Sequence, residues 1–397
     1  MSTRVIELPE YETKPFARDE ITEKWADIIH STYGNQVRID APNPWNNSWQ
    51  LTALGWVGYI PLSQDLHLSL VPKVPIRNLF GMLEYAYRLE GFKILDGLVD
   101  SDSIADIYDR LALILAKRVL DRIRKGLYQS YVAEDDDLPY VRGRIDLLAY
   151  VRDPSRVNLP CHFEEHTADL EDNQILLWTL TRVLEYGICT DRSLPHVHQA
   201  YRALHGFAKT VPFSPQKCVD RLYSRMNEDY EPMHALCRFF LEHTGPTHQA
   251  GDRRMLPVLV DMAALFELFV FEWMRRHVLT PYVVRGQVEW KTGEVVSIKI
   301  DITIEDTRTG ATVLVLDTKY KAPEQPAAAD MEQVVAYAVA KNCQRAVLVY
   351  PTILSRPIAV SWGPAIRVES LAFRLDGDIE QSGQQFLAQL LPDYRAS

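Results

Sequence analysis

The opening hundred residues alternate short apolar runs with turn residues. Runs at 36–39, 49–54, 56–60 and 66–71 are rich in β-branched and aromatic side chains, and Pro42, Asn43, Pro44, Asn46 and Asn47 punctuate them. That pattern predicts short strands joined by turns. Over 76–89 the apolar positions change to helical spacing, with Leu79, Met82, Leu83 and Ala86 on one stripe. Residues 1–105 therefore read as a β-rich amino-terminal module ending in a helix. From 106 to 250 the helical period dominates. One helix is expected at 104–124, running into the basic cluster Lys117, Arg118, Arg122, Arg124 and Lys125, and another at 172–186 with Asp172 available as its cap. Residues 251–397 change character again. An apolar-rich helix at 259–278 precedes β-like runs at 283–290, 296–305 and 312–319, a helix at 330–341 and a strand at 345–350. This α-β-β-β-α-β order predicts a mixed α/β domain, and the whole chain an α+β multidomain protein.

Composition changes this picture little. Of the 397 residues 47% are hydrophobic and 24% charged, as in ordinary globular domains. No run of 18 apolar residues appears, so no membrane-spanning helix is expected. The polar, acid-bearing start lacks the apolar core of a signal peptide, so a cytoplasmic location is expected. Cys161, Cys189, Cys218, Cys237 and Cys343 stand singly, which predicts reduced and mostly buried thiols. A net charge of −10 argues against tight DNA binding by this chain alone, and points to a partner that helps hold the substrate.

The chemistry concentrates in Ser297 to Ala322. Two β-branched runs flank Asp306-Thr307-Arg308-Thr309-Gly310, a connection suited to a hairpin. Asp301 lies inside the first run and Asp317 near the end of the second. An ionised Asp amid Ile and Val is costly unless something pairs with it, and two on adjacent strands can share a cation. Lys319 follows Asp317 by two residues, so both face one side of the strand. Two carboxylates suit Mg²⁺, a hard cation that prefers oxygen ligands. Such an ion polarises a phosphate and helps generate hydroxide from water, while the lysine stabilises developing charge. The expectation is a metal-dependent DNA-cleaving domain over roughly 256–351. D-x-K alone recurs by chance in many proteins, and a plain strand-surface reading of these charges stands beside this one. Two flanking features favour the site. The helix at 330–341 puts Asp330, Gln333 and Tyr337 on one polar stripe, with Val334, Val335 and Ala338 beside it for packing. Upstream, Glu267 is set in an apolar stretch, either at the helix rim or turned inward to the metal, with Glu272 and Glu289 as competing acids. The chain has no G-x-x-x-x-G-K-[ST], H-E-x-x-H or G-x-S-x-G motif. His162 and His166 flank Glu164 and Glu165, a grouping common at a polar strand-to-helix junction and a weak sign of metal binding, and His196-x-His198 reads as surface.

Glu267 within LFE, Asp301, Asp317-Thr318-Lys319 and Gln333 resemble the PD-(D/E)xK nuclease pattern, with Ile300 where that pattern often has proline. Trp56-Val57-Gly58, Leu70-Val71-Pro72-Lys73 and LFGMLEYA resemble the amino-terminal half of McrC-type proteins. Gly126-Leu127 with Tyr131, Arg142-Gly143-Arg144-Ile145, Cys161 to Glu165 and Asp172-Asn173 resemble that family's middle region, and LDTKYK with Leu348-Val349-Tyr350-Pro351 its nuclease end. The resemblance implies an Mg²⁺-dependent endonuclease subunit of an McrBC-type, modification-dependent restriction system. It also implies an AAA+ GTPase or ATPase hexamer of McrB type that reads 5-methylcytosine, translocates double-stranded DNA and is stimulated by the amino-terminal module. In that light Asp301, Asp317 and the Thr318 carbonyl are metal ligands, Lys319 stabilises charge, Glu267 supports and Gln333 positions. Lys73 and the Trp45–Trp49 loop are candidates for stimulating the motor, although a plain turn with two buried tryptophans is the simpler account of that loop. Two alternatives remain: a non-catalytic adaptor of an AAA+ NTPase carrying a decayed nuclease fold, and a nuclease of the same fold in a repair pathway.

Overall fold

The computed structural model describes every residue except 1–3, 44, 64–65, 90–103, 154, 188, 244–247, 251–252, 256, 293–295, 364–365 and 393–397. Pro44, Leu256 and the boundary drawn at residue 251 lie outside the described residues. The chain is mixed α/β and divides into two compact units, residues 1–107 with 243–397, and residues 108–242.

The first unit joins the amino-terminal module to the carboxyl-terminal part through a shared sheet. Its strand order is Arg4–Pro9, Leu66–Val71, Trp56–Pro61 and Val258–Asp261, and the last strand runs antiparallel to Trp56–Pro61. The helix expected at 259–278 thus starts late. Val258, Leu259 and Val260 are buried and complete the sheet, and the helix is Met262–His277. Asp261 ends the strand and caps the helix, its carboxylate accepting from Ala263 N and Ala264 N at 2.9 and 3.1 Å. Gly58 permits this junction. At φ 144° it has no Cβ, and one placed there would lie 2.0 Å from the Val258 carbonyl oxygen. Leu259 packs into the same core as Ile6, Leu8, Ile29, Leu51 and Leu68.

A second sheet of six strands carries the acidic residues. Its order is Tyr282–Thr292, Val296–Asp306, Thr312–Thr318, Arg345–Tyr350, Ile366–Ala372 and Ala359–Trp362. The first three strands are antiparallel neighbours. Thr312–Thr318 then runs parallel to Arg345–Tyr350, and the helix Ala328–Ala340 makes the crossover that parallel pairing requires. Val334, Tyr337 and Ala338 of that helix are buried with Ile300, Val315 and Leu348 of the sheet, and Val335 packs at the margin.

The second unit holds most of the helix Ile104–Lys125, together with the helices Glu171–Tyr186, Leu194–His205 and Tyr230–Glu242. It also contains a three-stranded antiparallel sheet, Ser130–Leu138, Leu159–Thr167 and Arg144–Ile145. Asp172 does not cap the helix at 171–186. Leu170 occupies that position, and Asp172 lies in the first turn, 3.1 Å from Arg221. All five thiols are free and four are buried. Among the described residues no helix is long and apolar enough to cross a membrane.

The Trp45–Trp49 loop departs from the expected pair of buried rings. Asn43 Oδ1 accepts from Trp45 N and Asn46 N, and this tight turn leaves Trp45 96% exposed while Trp49 packs against the amino-terminal core.

Candidate functional site

The register of the second sheet builds the site. Ile302 stands opposite Leu316, so one step further along the antiparallel pair Asp301 faces Asp317. Residues directly opposite share a face of the sheet. Asp317 is 0% exposed, at the end of a strand whose neighbours Leu314, Val315 and Leu316 are also buried. Asp301 is anchored: Thr318 N and Thr318 Oγ1 both donate to its Oδ2, at 2.9 and 3.1 Å. Asp317 is not. Its one close donor among the described residues is the Lys319 ammonium, 2.7 Å from Oδ2. Burial and the charge of Asp301 push the Asp317 carboxyl up to about 7, against the pull of Lys319.

The helix after the strand reaches the same place. Lys319 Nζ donates to Gln333 Oε1 at 3.1 Å, and Gln333 Nε2 donates to the Tyr337 hydroxyl at 2.6 Å. Asp330, on the same stripe, turns elsewhere. It is buried and pairs with Lys321 at 2.6 Å, with the Tyr350 hydroxyl at 3.5 Å. Glu267 is half-buried and accepts from Gln287 Nε2 at 3.3 Å. Burial and Asp301 raise its carboxyl, while Gln287, Lys299 and Lys319 pull the other way. The competing acids lie in other pairs: Glu272 with Arg88 and Arg275, and Glu289 with Lys291. His162 pairs with Asp135 and Asp146 on the exposed three-stranded sheet of the other unit.

The structure thus brings together Asp301, Asp317, Lys319 and Gln333, with Glu267 near enough for its charge to be felt. It adds Gln287, which the sequence pattern gave no reason to single out. Gln287 stands across from Asp301, between the pairs Gly286–Ile302 and Val288–Ile300, in the left-handed region at φ 49°. A glycine inside a β-run, here Gly286, is the one local sign of irregular backbone. Among the described residues no three His, Cys, Asp or Glu side chains form a preset metal cage. The donor chemistry nevertheless fits a hard cation: two facing carboxylates, one fully buried with the Lys319 ammonium as its one close donor among the described residues.

A family model described as "McrBC 5-methylcytosine restriction system component" matches residues 51–351. The chain belongs to that family. The type IV methyl-directed restriction enzyme EcoKMcrBC of Escherichia coli (strain K12) is 23% identical over 264 residues, 63% of this chain and 74% of that protein. Among solved structures, a chain of the refined half-complex from the tetradecameric assembly of Thermococcus gammatolerans McrB AAA+ hexamers with bound McrC superposes with a TM-score of 0.58. The match covers 98% of this chain and all of that one at 17% identity, so what it shares is the fold. The resemblance to McrC-type proteins noted in the sequence is borne out at the level of family.

Proposed function

We propose that this chain is the endonuclease subunit of an McrBC-type restriction system, hydrolysing DNA phosphodiesters with Mg²⁺ at Asp301, Asp317 and Lys319 in a PD-(D/E)xK domain. One observation carries the reading: a buried carboxylate whose one close donor among the described residues is a lysine ammonium, facing a second carboxylate. An acid in that setting is a poor structural element, because burying it costs several kcal/mol unless it is fully compensated, on the order of the penalties known for buried ions. Asp301, Asp317 and the Thr318 carbonyl would hold the ion. Bound there, Mg²⁺ supplies Lewis-acid polarisation of the phosphate and an acidified water.

The chain's own residues do the rest. Thr318 fixes Asp301 through its amide and hydroxyl, which keeps one carboxylate oriented. Gln333, itself held by Tyr337, keeps the Lys319 ammonium aimed at Asp317. A lysine so placed can meet a phosphate oxygen and stabilise charge that develops there. Glu267 and Gln287 close the side of the site next to Asp301.

We assign the motor to a partner, an AAA+ NTPase hexamer of McrB type acting on double-stranded DNA whose modified cytosine the partner reads. The absence of a P-loop motif in this sequence and the fold shared with a chain of the McrB–McrC assembly support that assignment. The test is cleavage of methylated DNA by the full chain with an AAA+ protein of McrB type, Mg²⁺ and nucleotide, compared with Asp317→Ala. Undiminished cutting by the variant sinks the assignment of the site, and robust cutting by the chain alone sinks the dependence on a motor.

A further inference from the structure

Glu10 follows the first strand of the amino-terminal module, Arg4–Pro9, and is 0% exposed. Its Oε2 accepts from the Lys73 amide at 3.3 Å and from the Tyr320 hydroxyl at 3.2 Å, so the last contact spans 310 residues of sequence. Tyr320 is the residue after Lys319. The strand has ended at Thr318, and the chain turns at Tyr320, where Lys321 N donates to the Lys319 carbonyl at 2.9 Å. It is 9% exposed, and its ring lies 5.9 Å from that of Phe266, the residue before Glu267. On either side of Tyr320 the chain is also fixed. Lys319 N donates to the Val349 carbonyl at 2.8 Å, and Lys321 pairs with Asp330.

We propose that Glu10 is a positioning residue for the cleavage site, acting through the Tyr320 hydroxyl to hold the strand end on which Asp317 and Lys319 meet. The amino-terminal module, which the resemblance to McrC-type proteins implies stimulates the motor, thereby has a direct mechanical connection to the proposed nuclease site. This inference rests on the cleavage reading above. Glu10 touches neither Asp317 nor Lys319, and its effect is transmitted by one side chain. The high pKa of its carboxyl, pushed up to about 7 by burial, fits a group kept from water for the sake of that contact.

The experiment compares wild type, Glu10→Ala, Glu10→Gln and Tyr320→Phe as full-length chains. Glutamine keeps an acceptor for both donors, and phenylalanine removes only the hydroxyl, so neither variant opens a cavity. Three quantities are read: kcat and KM for cleavage with the AAA+ partner, Mn²⁺ affinity of the chain alone, and amide hydrogen exchange of residues 317–321. Glu10→Ala and Tyr320→Phe are expected to lower kcat about tenfold, the worth of one hydrogen bond, with KM within about twofold of wild type. Both should weaken Mn²⁺ binding and speed exchange at 317–321. Glu10→Gln should match wild type in all three. Wild-type kcat and exchange in Glu10→Ala and Tyr320→Phe overturn the proposal, as does a loss in Glu10→Ala that Glu10→Gln fails to rescue. If wild type neither binds Mn²⁺ nor cuts, the cleavage reading has failed instead, and the proposed hold on the strand end stands or falls on the exchange data.

Discussion

Asp109, in the second unit, and Asp317, in the first, are both buried carboxylates, and their surroundings treat them in opposite ways. Asp109 receives Thr190 N at 2.7 Å, Thr190 Oγ1 at 2.9 Å and the Ser193 hydroxyl. Its charge is spent on tying a loop to the helix Ile104–Lys125. Asp317 has the Lys319 ammonium as its one close donor among the described residues, and a second acid, Asp301, opposes its charge. On the proposed function, the difference separates a carboxylate that serves the fold from one left open to a ligand. Glu10 stands between them, with two donors on one oxygen and none on the other.

The largest expected effect tests the Asp317 end of this contrast. Asp317→Ala and Asp317→Asn should lower cleavage by roughly a thousandfold or more, on the scale of losing a group that stabilises transition-state charge. Asp317→Asn should cost little stability, because it removes the buried charge and keeps an oxygen for Lys319, while Asp317→Ala leaves the Lys319 ammonium its bond to Gln333. Urea unfolding of Asp317→Asn beside the cleavage assay decides it. A variant that loses several kcal/mol of stability would return Asp317 to the structural class.

Asp109→Ala should behave in the reverse way. It strands the buried Ser193 hydroxyl and two partly buried donors of Thr190, so unfolding should become easier by about 2 kcal/mol. Cleavage per folded molecule should hold. Loss of activity in a chain that unfolds normally would break the comparison from the other side.

Glu10 supplies a pH test. Its carboxyl titrates near 7 when folded and near 4.3, the ordinary glutamate value, when unfolded. A raised acid contributes its full stability below the unfolded value and loses it as pH climbs through the folded one. Glu10→Gln escapes that loss. Its stability relative to wild type should therefore grow between pH 4.5 and pH 7 by about 2–3 kcal/mol and then level off. Denaturant midpoints for both chains at pH 5 and pH 8 measure the gap, and an equal gap at the two values removes Glu10 from its intermediate place.

How far this contrast was readable in advance depends on the range of the interactions. Asp301, Asp317 and Lys319 showed in the sequence because charges inside β-branched runs are conspicuous, and period-two alternation placed Asp317 beside Lys319. Gln333 showed because helical spacing set it near Tyr337. The fully satisfied state of Asp109 did not show, since its donors lie more than 80 residues away at Thr190 and Ser193. Glu10 and Tyr320 were hidden for the same reason. Val258–Asp261 read as helix because a short buried apolar run has no period of its own, and only the partner strand Trp56–Pro61 makes it β. The outward turn of Trp45 depends on one Asn43 side chain.

The smallest effect is expected where water shares the work. Asp261 accepts from Ala263 N and Ala264 N, nearly as many donors as serve Asp109, but it does so at the solvent-accessible start of the helix that carries Glu267. Removing its carboxylate leaves two amides that water can reach, so Asp261→Ala should cost about 1 kcal/mol, the usual worth of such a cap. Asp261→Asn caps nearly as well and should cost only a few tenths. Cleavage should follow the folded fraction in both, because the helix keeps its packed face of Leu265, Phe266 and Phe269. The ordering of Asp109, Asp261 and Asp317 then depends on two quantities, how many donors each carboxylate receives and whether water can replace it. A loss for Asp261→Ala as large as that for Asp109→Ala would mean that donor count alone sets the cost, and the case for Asp317 would have to rest on its one close donor among the described residues without help from its burial.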